Sequence, residues 1–246
     1  TGHDLNYVAA AGSASVSGDP DGPDEWNTSV PVADIAGALF AANTILSSLI
    51  WRTKSDQGQF LDVSLTDAMV AMTALRIVDH DARGHPGKEE LIAKGGLGIF
   101  KAADGKCLSV SAMEDKFFRK LCQAVALESL VDDPHYADRA SRNRNWRTLN
   151  SALSEAFRLR DRDYWVETLT RSDVPCSPVN HIDELEADPQ IRARSMLLRT
   201  SDGQLDVAFP IKLSRTPWQK RSKAPSLGEH TEQVFTMIGY DTDRIA

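Results

Sequence analysis

The sequence predicts an α/β chain built of two pieces. Apolar residues recur at three- to four-residue spacing in long segments, as amphipathic helices require. Short runs that alternate apolar and polar residues stand between them and read as strands. The stretch from His80 to Gly96 holds Gly84, Pro86, Gly87, Gly95 and Gly96 and reads as a connector. The expected divisions are a first piece over 1–80, a linker over 81–95, a second piece over 96–194 and a C-terminal segment over 195–246.

The elements follow in order. Residues 18–31 are rich in Gly, Asp and Pro and predict an exposed loop. Residues 34–51 predict a helix that is apolar nearly all round, hence buried. Asn43, Thr44, Ser47 and Ser48 argue for a core helix rather than a membrane span. Phe60 to Leu65 alternates and predicts a short strand, and a helix from Thr66 carries Met69, Met72, Leu75 and Val78. Ile99–Ala102 and Cys107–Ser111 flank Asp104-Gly105, the signature of a β-hairpin. Helices are expected over Phe117–Val125, near 147–158 and near 162–171. Val174 to Val179, bounded by prolines, predicts an extended segment. A short helix near 182–187, strands at Met196–Arg199 and Val207–Leu213, and a helix near Glu232–Ile238 complete the chain.

With 246 residues, 41% hydrophobic and 26% charged, the chain has the make-up of an ordinary globular protein. A net charge of -7 argues against a nucleic-acid partner. An anionic ligand would need local cations or helix N-termini. Three cysteines, without CxxC spacing, suit a reducing cytoplasm. No P-loop or GxGxxG element supports nucleotide hydrolysis or NAD chemistry. Asp79, His80, Asp81 and His85 lack the frame of a metal site, so no metal is expected. Arg139, Arg142, Arg144 and Arg147 read as a solvated helix face that could touch a phosphate.

Three residues carry the candidate chemistry. His3 lies in Gly-His-Asp-Leu-Asn-Tyr, Asp34 opens the long apolar helix as a possible N-cap, and Glu114 opens a later helix. A base, an acid and a second carboxylate serve to move protons at carbon. The same Asp34 could attack a carbonyl as a nucleophile.

Several segments resemble the family III CoA-transferases, which include α-methylacyl-CoA racemases and carnitine CoA-transferases. They are Gly2–Tyr7, Ala33–Gly37, Gly58–Ala68, Ala103–Gly105, Val174–Val179 and Leu227–Thr231. The resemblance implies a partial Rossmann-like large domain plus a smaller α+β domain, in an interlocked homodimer. It implies an upstream segment, absent here, with half of the large-domain sheet. It makes acyl-CoA the substrate, with no separate cofactor and no membrane. His3 and Asp34 would be the two α-carbon bases of a racemase, with Glu114 paired to His3. Asp34 would alternatively be the nucleophile of a CoA transferase. The Asp4 amide would donate to the thioester oxygen, and Tyr7 would contact the ligand. Gly37, followed by Ala38 and Leu39 where relatives carry more glycines, would line a narrowed acyl pocket. The joint presence of His3 and Glu114 favours racemisation of a 2-methyl-branched acyl-CoA. CoA transfer is the alternative and an inactive fragment the third reading.

Overall fold

The computed structural model describes residues 2–26, 29–200, 203–219, 222 and 224–241. The chain forms two compact units, one up to Val179 and one from Asn180 onward.

The first unit opens with three helices: α1 (Asp4–Ala10), α2 (Val32–Ser55) and α3 (Leu65–Ala82). They meet through small residues. Val8, Ala11, Ala33, Ala36, Ala68 and Met69 form the buried cluster, which lets the helix axes approach closely. Gly37 belongs to the same contact: a Cβ there would come 2.1 Å from Leu65 Cδ2. A buried polar link adds direction. The Thr73 hydroxyl donates to the Met69 carbonyl at 2.8 Å and meets Ser13 Oγ at 2.5 Å.

Two expectations fail in this region. Phe60–Leu65 forms no strand; residues 56–64 carry no regular structure, because no described strand lies beside them to complete a ladder. Secondly, α2 is mostly exposed, with Leu39 at 60%, Ile50 at 62% and Trp51 at 54%. Only Ala33, Ala36 and Gly37 are buried on it. Its apolar circumference anticipates more covering surface than the described residues supply. By length and composition alone α2 could also cross a membrane.

Between the helices and the sheet, α3 runs on to Ala82 and α4 (Lys88–Ile92) interrupts the expected loop. Leu91 and Ala93 are buried, so this segment is packed. The sheet is antiparallel, ordered β1 (Leu97–Lys101), β2 (Cys107–Ser111), β3 (Cys176–Pro178). Ile99 faces Ser109, and Val110 faces Cys176. The predicted hairpin turn forms at Asp104-Gly105, where Gly105 takes a φ of +81°. Leu108 and Val110 point into the core while Ser109 does not, the period of two a half-buried strand requires.

Four helices follow: α5 (Asp115–Ala124), α6 (Arg139–Arg144), α7 (Trp146–Phe157) and α8 (Arg162–Arg171), of which α7 and α8 pack on the strands. The apolar stripes of α5, α7 and α8 meet in one core that includes Phe100, Leu121, Leu153, Phe157, Trp165 and Leu169. Trp165 stands edge-on to Phe157 at 5.4 Å and donates its indole N–H to the Phe157 carbonyl at 2.8 Å.

The second unit holds α9 (Pro189–Ala193), β4 (Leu197–Arg199), β5 (Leu205–Val207) and α10 (Thr231–Met237). Asp188 caps α9 through the amides of Gln190 and Ile191, both at 2.9 Å. The strand expected over Val207–Leu213 ends at Val207, and Pro210 within that stretch lacks a ladder donor. Ser201 and Asp202 of the expected turn lie outside the described residues.

Candidate active site at the start of helix α2

The two central residues, His3 and Asp34, sit at adjoining helix starts. His3 is the N-cap of α1, and its amide donates to Asn6 Oδ1 at 2.9 Å. Asp34 is not an N-cap. It is the third residue of α2, whose cap position is Pro31, a residue with no side chain able to cap. The missing acceptor comes from across the chain. Asp4 Oδ1 accepts from the Ala33 amide at 2.7 Å and the Asp34 amide at 3.1 Å. The carboxylate of Asp4 thus caps α2 and holds the His3 turn against Asp34. Sequence reading assigned Asp4 only its amide and missed this carboxylate. The signal was an α2 start whose Pro31 supplies no cap.

Both His3 and Asp34 are exposed, so their polar atoms are open to a ligand. Asp4→Ala should remove the cap and cost about 1 kcal/mol in urea denaturation. The same variant should loosen the Asp34 position, seen as faster amide exchange at Ala33 and Asp34.

The other candidates fall differently. Glu114 is the N-cap of α5 and is exposed; among the described residues it makes no hydrogen bond to His3. Tyr7 is half-buried against the α1–α3 cluster and donates its hydroxyl to the Gly2 carbonyl at 2.9 Å. Gly37 faces Leu65 and serves the helix contact described above.

An apolar groove of about 250 Å³ runs along α2, lined by Val32, Ile35, Ala36, Leu39, Phe40 and Asn43, with Met72 from α3. These α2 positions share one face. At 100° per residue, Asp34 lies ~170° around the helix from the centre of that face. The groove therefore does not open onto the Asp34 carboxylate.

The basic run is not one solvated face. Arg142 is only 1% exposed. Its guanidinium donates to the Met113 carbonyl at 2.8 Å, to Asp115 Oδ1 at 2.7 Å and to the Tyr136 carbonyl at 3.2 Å. It also lies over the Phe118 ring at 4.6 Å. It therefore grips the chain on both sides of Glu114. Arg147 binds Asp21 and Glu89. His80 and His85 bring their Nδ1 atoms to 3.2 Å, but no group of three His, Cys, Asp or Glu side chains among the described residues could hold a metal.

Comparison with known proteins supplies the family. The model of CoA-transferase family III matches residues 1–231. A succinate–glutarate CoA-transferase of Agrobacterium fabrum is 31% identical over 245 residues, covering 96% of this chain and 60% of that protein. The human succinyl-CoA:glutarate CoA-transferase is 26% identical over 246 residues, 97% of this chain and 56% of that protein. The crystal structure of a CaiB/BaiF family protein from Brucella suis superposes with a TM-score of 0.79 at 26% identity, over 97% of this chain and 63% of that one. The chain spans about three-fifths of the length of the curated relatives it matches. The mixed α/β fold and the family match agree, and the chain belongs to the family III CoA-transferases.

Proposed function

We propose that this chain carries the nucleophile of a CoA transferase that moves CoA between an acyl-CoA and a short dicarboxylic acid. The observation that carries the reading is Asp34, exposed at the start of α2 and held there through its amide by Asp4. The named relatives support the direction: their acids are succinate and glutarate. An Asp34 oxygen attacks the thioester carbonyl; the C–S bond breaks and CoA leaves as thiolate, giving an acyl-aspartyl anhydride. The thiolate attacks the Asp34 carbonyl, releasing the first acid and leaving an aspartyl-CoA thioester. The acceptor acid then attacks that thioester, expelling CoA thiolate and forming a second anhydride; the thiolate attacks its acyl carbonyl, giving the new acyl-CoA and freeing the Asp34 carboxylate. The sequence of steps uses only acyl-CoA and acid, with no further cofactor. We further propose a cytoplasmic location, in keeping with three cysteines that form no CxxC pair, and an interlocked homodimer, in keeping with the family resemblance.

A second reading, racemisation at the α-carbon, is favoured by His3 standing where racemase-like members carry one base and Glu114 where they carry its partner. It asks Glu114 to hold His3, and the described residues make no such bond. One pair of assays separates the two. The transferase reading expects labelled CoA to pass from succinyl-CoA to glutarate. It expects mass spectrometry of the quenched protein to find Asp34 modified. Deuterium uptake from D2O at the α-carbon of 2-methylacyl-CoA, without CoA transfer, would reverse the choice and make His3 and Asp34 the paired bases.

A further inference from the structure

Helix α3 ends in a motif that fixes two imidazoles against each other. Arg83 is its C-cap, and Gly84 follows in the left-handed region at a φ of +74°. The Gly84 amide donates to the Asp81 carbonyl at 3.1 Å, and the His85 amide donates to the His80 carbonyl at 2.9 Å. These two bonds make a Schellman ending, whose outer positions are commonly joined by an apolar contact. Here His80 and His85 hold those positions instead. His85 is itself left-handed at a φ of +62°, a conformation that a Cβ disfavours. The backbone thus turns its ring back onto the helix end.

The rings meet Nδ1 to Nδ1 at 3.2 Å, with centroids 4.8 Å apart and planes at 60°. A linear N–H···N bond of that length would hold the centroids about 5.5 Å apart. The observed approach is closer, so the rings are bent across the gap they share. Both distances fit two imidazoles converging on one cation about 2.1 Å from each nitrogen, where a tetrahedral shell spaces its ligand nitrogens about 3.3 Å apart. The His85 side chain is 67% exposed, so the gap can be reached from solvent.

The neighbouring charges accommodate a cation. Arg76 and Arg83 share the Asp79 carboxylate, at 3.9 and 3.5 Å, and Arg83 also meets Glu90 at 2.8 Å. Both guanidiniums are therefore matched by carboxylates. Asp81 stands on the far side of the His85 ring, its Oδ1 4.0 Å from Nε2. A carboxylate there favours the proton on Nε2 and leaves the Nδ1 lone pair for a metal.

We infer that His80 and His85 chelate a divalent cation of the zinc class through their Nδ1 atoms. Imidazole suits zinc, whereas magnesium and calcium take oxygen ligands. The cation displaces the proton that the two rings share, which passes through solvent to His80 Nε2. No group of three His, Cys, Asp or Glu side chains forms among the described residues, so water completes the shell. Spacing in the sequence offers these residues no frame; the helix ending supplies it. Bound zinc staples the last turn of α3 to the chain that leaves it. The inference is independent of the CoA-transfer reading.

The test is calorimetric titration of Zn2+ and Mg2+ into the protein and into His80→Gln, His85→Gln and His135→Gln. One Zn2+ per chain is expected to bind at micromolar concentration, with no response to Mg2+. His80→Gln and His85→Gln should each weaken zinc at least ~10-fold, the lower end of what even an outer partner of a metal ligand contributes. His135, whose Nδ1 lies 2.8 Å from Asp133 Oδ1, is the control, and its variant should bind as the parent does. In the parent, the ring-proton NMR signals of His80 and His85 should shift together as zinc is added, a readout that requires no variant to fold. Equal zinc affinity in the parent and both ligand variants would overturn the chelate. So would a loss in only one of them, a shift of only one ring, or binding seen only at millimolar zinc.

Discussion

Asp34→Asn is expected to reduce CoA transfer by at least ~10³-fold, the scale on which removal of a covalent nucleophile acts. Asparagine has the same shape, and the contact that fixes residue 34 is made by its backbone amide to Asp4. The fold should therefore hold to within ~0.5 kcal/mol, as for an exposed substitution away from special contacts. Steady-state transfer assays beside circular-dichroism melts read both effects. Racemisation, if that is the activity, should fail in the same variant, since Asp34 would be one of two bases. Turnover near normal with an unchanged melt would remove Asp34 from either mechanism.

The second large effect concerns stability. Arg142→Met should cost about 3 kcal/mol in urea denaturation, because the carbonyls of Met113 and Tyr136 lose a charged donor inside the core. The Asp115 contact adds little, since that carboxylate is 55% exposed. The loss is moderated because Arg142 Nε is itself buried without a partner. Arg142→Lys should recover part of the stability, as a compact ammonium satisfies fewer acceptors. A methionine variant as stable as the parent would show that the guanidinium does not hold this segment.

Local order was legible where local chemistry decides it. The Asp104-Gly105 turn, the alternating β2 strand and the α7 and α8 helices formed as their patterns require. The strand expected at Phe60–Leu65 was not, because alternation specifies a face but a ladder needs a neighbour. Helix α2 formed over a wider span than expected, yet its side chains stay in solvent. Periodicity reports what a helix is suited to bury, not what is present to cover it. Among the site residues, motif resemblance found His3 and Asp34, but the bond from the Asp34 amide to the Asp4 carboxylate crosses thirty positions, which no spacing rule predicts. The inward turn of Arg142 was equally hidden: a run of arginines carries no sign of which one is buried.

The carboxylate of Asp4 closes a chain loop whose ends are 29 residues apart. In polymer terms such a closure depends only weakly on contour length: doubling the loop costs ~0.6 kcal/mol. The ion pair of Arg147 with Asp21 fastens the loop from outside, and exposed pairs of this kind contribute ~0–1 kcal/mol. The turn from Gly18 to Pro23 is thus free to lengthen or shorten at small energetic cost. Meanwhile the separation between the His3 turn and Asp34 stays fixed by two hydrogen bonds. Variation in this loop can reshape the approach to the reacting carboxylate without disturbing where that carboxylate stands.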